Sequence, residues 1–250
     1  MILNGNIHNL TSLWRTVGIS AGRYSEFEYF CCSRVPGAQW PNRIWLKTTV
    51  SEDVLNEIRS FAHQSEQPFT ISYWSDFNDK ELLLFEQHGF QTTVVQTGMS
   101  LDVKSRIEEH NRVRLKRIST IDEAQIWEVL YPQSFGYVIA AETVIQTKDQ
   151  VRYYLIYLDR EPIGTAITFE TGNTVGIHGM GIIPAYRKQG FAEEVMIKLM
   201  NQAFDEGKTR ITLQASAMGK GVYEKIGFSA DFLMTGYTSL RLDGFSNRVQ

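Results

Sequence analysis

The feature that most constrains this chain is an internal repeat. Phe85-Glu86-Gln87-His88-Gly89-Phe90 recurs as Tyr223-Glu224-Lys225-Ile226-Gly227-Phe228, and at the same offset of 138 Thr97-Gly98 recurs as Thr235-Gly236. Five identities in these fourteen positions exceed the roughly one expected from average composition. A period this long is a repeat of whole domains, not of a solenoid unit. With 250 residues, the chain has room for two ordinary domains. Lys104–Arg112 is dense in charge with a single aliphatic residue, reads as an exposed connection, and places the boundary. The expected halves are residues 1–108 and 109–250.

Composition excludes several classes. A formal charge of −3 supplies no basic field for a phosphate backbone, so nucleic acid is not an expected partner. Met1 to Leu10 lacks the basic and apolar regions of a signal peptide. No run of about eighteen apolar residues occurs, so no conventional membrane helix is expected. Cys31 and Cys32 are adjacent, which forbids an unstrained disulfide between them, and they read as strand residues in a reducing cytoplasm. The five histidines are scattered without zinc-ligand spacing, and no metal site is expected.

The second half reads as β-α-α-β-β-β-α-β-α-β, an α+β fold with a mixed sheet. Strands are expected at Val113–Ile118, Tyr153–Leu158, Ile163–Phe169, Val175–Ile183, Arg210–Leu213 and Ala230–Leu242. Helices are expected at Ile121–Leu130, Glu142–Gln150, Phe191–Phe204 and Lys220–Ile226. Phe191, Val195, Leu199 and Ala203 form the apolar stripe of an amphipathic helix, and Gly207 stands where its cap belongs. In the first half the corresponding elements are a strand at Arg43–Val50, a helix at Ser51–Gln64 and a strand at Phe69–Trp74.

The segment Met180 to Ala192 carries the chemistry. Pro184 ends a strand, and Arg187-Lys188-Gln189-Gly190-Phe191-Ala192 opens the long helix. Unpaired N–H groups and the helix dipole make such a start a site for a pyrophosphate. Gly190 admits phosphate oxygens close to the backbone, Ala192 keeps the first turn slim, and Arg187 and Lys188 add positive charge.

Here the chain resembles the GNAT superfamily of acyl-CoA-dependent N-acyltransferases. Arg187 to Ala192 fits the family's Arg/Gln-x-x-Gly-x-Gly/Ala pyrophosphate loop, and Tyr223 to Phe228 supplies its Tyr-x-x-x-Gly-Phe signature. Many members carry Asn and Ala where this chain has Ser216 and Gly219, and the serine hydroxyl can still meet a pantetheine arm. The resemblance covers about 140 residues. It implies two tandem GNAT-like halves and a co-substrate, acetyl-CoA, whose pantetheine inserts between splayed strands. The backbone around Met180 and Ile182 would pair with it, and Gln189 and Phe191 would complete the loop. The acceptor would be a primary amine of a small molecule, attacked in a ternary complex, with the protein a monomer or homodimer. A non-catalytic acyl-CoA-binding protein of the same fold is the alternative.

Tyr223 is the candidate general acid for the departing thiolate, or it packs and orients coenzyme A. His178 is the candidate base or relay, placed by a period of two on one face with Met180 and Ile182, or it is structural. Glu170 is a further candidate, or it simply edges a hairpin. Trp127, Tyr131, Phe135 and Tyr137 either line an acceptor pocket or fill the core. At the repeat offset the first half reads Thr49-Val50-Ser51-Glu52-Asp53-Val54, without glycine or cation. Its two carboxylates would repel a pyrophosphate, so this half is expected to be degenerate.

Overall fold

The computed structural model describes residues 5–65, 68–77 and 82–239. The first half comprises α1 (Gly5–Ala21), β1 (Arg23–Glu26), β2 (Phe30–Arg34), β3 (Arg43–Leu46), α2 (Glu52–His63), β4 (Thr70–Ser75), α3 (Leu82–Gln87) and β5 (Phe90–Asp102). The second comprises β6 (Val113–Arg117), α4 (Ile121–Leu130), α5 (Pro132–Phe135), α6 (Ala141–Thr147), β7 (Arg152–Leu158), β8 (Glu161–Thr171), β9 (Thr174–Ile182), α7 (Phe191–Asp205), β10 (Arg210–Ala215), α8 (Lys220–Ile226) and β11 (Ser229–Ser239). The element order expected for the second half is observed with one addition, the short helix α5 between the two expected after the first strand, and α8 has the expected bounds. Residues 240–242 of the expected last strand lie outside the described residues.

All eleven described strands join one mixed sheet in the order β1-β2-β3-β4-β11-β5-β10-β9-β8-β7-β6. The repeat is visible in this order, because β3 and β4 run parallel as β9 and β10 do. Each half then takes the last strand of the other. β11 pairs with β4, β5 pairs with β10, and β5 and β11 run antiparallel at the centre. The recurring glycines serve this exchange. A Cβ on Gly98 would strike the Phe232 ring, and one on Gly236 would meet Val94 at 2.8 Å. Side chains of the opposite half lie directly over both positions.

Two core layers cover the second half of the sheet. On one face Val195, Met196, Leu199 and Met200 of α7 pack on Val175, Ile177, Ile211 and Leu213. On the other, α1 joins α4 and α6 over Tyr153, Leu155 and Phe169. α1 therefore belongs to the first half in sequence and to the second half in packing.

The connection 104–112 is mostly exposed, as expected, yet it is tied to α7. Asn201, fully buried, accepts from the Ile107 N–H and donates to its carbonyl, both at 2.8 Å. At its end Arg112 bonds Glu194 at 2.9 Å, and the other oxygen of this buried carboxylate accepts from the Val113 N–H. Cys31 and Cys32 are free thiols, both buried in β2.

Candidate active site

β9 and β10 are paired only from Thr174/Arg210 to Gly176/Thr212. Beyond that point no backbone pairing joins Ile177–Ile182 to Leu213–Ala215. Their outer edges stay in the sheet, with Ile182 opposite Gly164 of β8 and Ala215 opposite Thr97 of β5. The strands thus splay, leaving a gap between two backbone edges, as an inserted extended ligand requires.

The gap opens beside the start of α7. After β9, Pro184–Tyr186 form a single 3-10 turn, and Lys188 and Gly190 take left-handed φ values of 62° and 82°. Gly190 is the N-cap of α7 and, unlike Ser51 at α2 or Thr120 at α4, supplies no side chain to the first-turn N–H groups. Lys188, Gln189 and Gly190 are exposed, while Phe191 is buried and anchors the helix. Arg187 is half-buried and donates through Nε to the Ile182 carbonyl at 2.9 Å, tying the loop to the splayed edge. A third cation sits here that sequence reading assigned to the connection. Arg112 donates to the Gln189 carbonyl at 3.1 Å and lies 4.8 Å over the Phe191 ring. Its place before β6 carries no local signal of that role.

Met180, Ile182 and Tyr223 gather on the α7 face of the sheet. Tyr223, on α8, stands 5.9 Å from the Phe228 ring, and its hydroxyl has no hydrogen-bond partner among the described residues. Burial pushes its pKa up to about 12. At the end of β10, Ser216 Oγ accepts from the Gly219 N–H at 3.2 Å, leaving its own proton to donate.

Residues 120–228 match the model of the acetyltransferase (GNAT) family. They are a GNAT-family domain. The chain is 22% identical over 137 residues to the uncharacterised protein YyaT of Bacillus subtilis, covering 54% of this chain and 86% of that protein. Its fold is that of a GCN5-related N-acetyltransferase from Kribbella flavida, with a TM-score of 0.70 at 14% identity, over 95% of this chain and 97% of the other. A tandem GNAT protein from the clavulanic acid biosynthesis pathway superposes with a TM-score of 0.53 at 11% identity, over 84% and 78% of the two chains.

One expectation about the GNAT domain is corrected. His178 does not share a face with Met180 and Ile182. Gly179 has a φ of 50° and forms a bulge against β8, where the register shifts between Thr165 and Ile167. One extra residue reverses the alternation, so His178 turns to α1 while Met180 and Ile182 turn to α7. Its Nδ1 lies 3.0 Å from Gln214 Oε1 and its Nε2 3.0 Å from Asn9 Oδ1. Asn9 in turn donates to the Phe169 carbonyl and Thr171, and Asn6 to the Met99 and Leu213 carbonyls. Gly176 has no Cβ because Asn9 Oδ1 would lie 1.9 Å from it.

Burial lowers the His178 pKa from 6.5 to about 4, outweighing the hydrogen bond to Gln214 Oε1. Between those values the unfolded chain binds a proton at His178 that the folded chain does not. Stability therefore falls as pH drops through that window, by about 1–3 kcal/mol from this group. Urea unfolding at pH 7.5 and 4.5 should show a loss smaller by that amount in His178→Gln than in the wild type. Equal losses would place the titrating group elsewhere.

The remaining candidates separate cleanly. Glu170 is held by Arg152 at 2.6 Å and Lys208 at 2.7 Å beside the β8–β9 hairpin, at the end of β9 away from the splay. Trp127 is fully buried and stacks on Tyr131 at 5.3 Å, which makes it core. Tyr131 and Phe135 instead meet the bulged strand. A Cβ on Gly179 would stand 3.0 Å from the Tyr131 ring, and one on Gly181 2.9 Å from Phe135. Among the described residues no cluster of His, Cys, Asp or Glu could hold a metal, and no helix is long and apolar enough to cross a membrane.

Proposed function

We propose that residues 109–250 transfer the acetyl group of acetyl-CoA to a primary amine, and that residues 1–108 bind no coenzyme A. The observation that carries this reading is a coincidence of two features. The splay between β9 and β10 opens beside an uncapped helix start flanked by Arg187 and Lys188. Backbone edges suit a pantetheine amide chain, and the helix start suits a pyrophosphate. In the first half the matching helix start is closed, because Ser51 accepts from the Val54 N–H and Glu52 and Asp53 occupy the first turn.

In the transfer, the neutral amine nitrogen attacks the thioester carbonyl, a C–N bond forms, and the C–S bond breaks. A backbone N–H on β9 near Ile182 stabilises the oxyanion. Tyr223 gives its proton to the departing thiolate and regains one from solvent. The ammonium proton leaves to solvent. His178, whose ring nitrogens face Gln214 and Asn9, is assigned to anchoring α1 and not to proton transfer.

Calorimetric titration of the full chain with acetyl-CoA is expected to show one site per chain, followed by coenzyme A release in an amine screen. Binding without transfer to any amine favours the non-catalytic alternative. Absence of binding overturns both.

A further inference from the structure

The two halves meet over an arginine, Arg43, that takes no part in the acetyl transfer itself. β3, β4 and β5 run in one direction and β9, β10 and β11 in the other. The start of β3 therefore lies at the same end of the sheet as the splayed end of β9. Arg43 is the first residue of β3, on the face that carries α1 and the Tyr131 cluster.

Its guanidinium lies 5.7 Å from the centre of the Trp14 ring, and Trp74 stands 6.4 Å beyond Trp14. Across the junction, Tyr131 and Tyr137 join their hydroxyls at 2.6 Å, within electrostatic reach of the same guanidinium. Arg43 makes no hydrogen bond or ion pair among the described residues. Its nitrogens are not among the polar atoms sealed from solvent without a partner. A half-buried guanidinium without an anion is costly, and one cation–π contact recovers only part of the cost. The Tyr131 ring connects this place to the reaction, since it also covers Gly179 in the bulge of β9.

We propose that Arg43 receives the carboxylate of the acceptor, and that the half-buried Trp74 and Tyr137 hold its apolar or aromatic body. The acceptor class is then an amine that carries a carboxylate, such as an apolar amino acid or short peptide. This rests on the transferase reading and gives the first half a role in choosing the acceptor. The planar guanidinium fork matches a carboxylate with two parallel hydrogen bonds, and the aromatic wall excludes water from them.

Matched probes test it in the full chain. L-phenylalanine and glycyl-L-phenylalanine are titrated calorimetrically against their C-terminal amides, with and without saturating coenzyme A. The wild type is expected to favour the acid about tenfold or more in at least one pair. Arg43→Gln should bring that pair within about twofold, and Arg43→Lys should keep part of the preference. Melting temperature and acetyl-CoA affinity of both variants should match the wild type. Equal binding of acid and amide, binding of no probe, or a preference that survives in Arg43→Gln overturns the proposal. If Arg43→Gln does not fold, the wild-type pairs and Arg43→Lys decide. A wild type that binds the acids yet fails to bind acetyl-CoA sinks the transferase reading and leaves the carboxylate site standing.

Discussion

Gly190→Glu is expected to lower the affinity for acetyl-CoA by about 100-fold, through charge at a helix start and backbone strain together. The residue is exposed at the N-cap of α7 with a φ of 82°, where its N–H and those of the first turn face the loop. A carboxylate there would take the place, and repel the charge, of a pyrophosphate. Gly190→Ala separates the two effects. It keeps the strain, and its Cβ would stand 3.3 Å from an Arg112 nitrogen, but it adds no charge. It should lose about tenfold, in keeping with a strain of 1–2 kcal/mol. Calorimetry with acetyl-CoA reads both, and Gly190→Glu binding within threefold of the wild type would remove the loop from the site. α7 should survive either change, because Phe191, Val195, Met196 and Leu199 anchor it in the core.

Tyr223→Phe is expected to lower kcat by about 100-fold with the amine found in the screen, the lower range for a lost general acid. The KM for acetyl-CoA should change little, since the ring remains against Phe228. Burial holds the phenol proton to about pH 12, so Tyr223 should add no alkaline limb to the rate profile below about pH 10. Stability should be unchanged, because the hydroxyl has no partner to lose. The repeat supplies a natural control: Phe85 stands at the matching place in the first half, fully buried and stacked at 4.0 Å on Tyr237. An unchanged kcat would leave Tyr223 as a packing residue.

The sequence by itself determined the elements whose signals are local. The apolar stripe and Gly207 define α7, Gly172 with its left-handed φ of 56° turns the β8–β9 hairpin, and Ser51 with Glu52 and Asp53 defines the capped start of α2. The Arg187–Ala192 loop was legible for the same reason, since a helix start with glycine and cations needs only neighbouring residues to be recognised. α1 escaped, because Asn6 and Asn9 fall on its buried stripe and break the apolar pattern. Their amides are buried only because carbonyls of strands more than ninety residues away receive them.

The tertiary structure decided everything that depends on distant pairing. The exchange of β5 and β11 cannot be read from periodicity, because either strand would show the same alternation beside its own half. The bulge at Gly179 moves one residue and so turns His178 to the opposite face from Met180, a reversal invisible to a count of two. Arg43 and Arg112 acquire their places only when strands from the two ends of the chain are laid in one sheet. Local chemistry is written in adjacent residues, whereas the juxtaposition of residues from the two halves exists only after long-range hydrogen bonds have set the register.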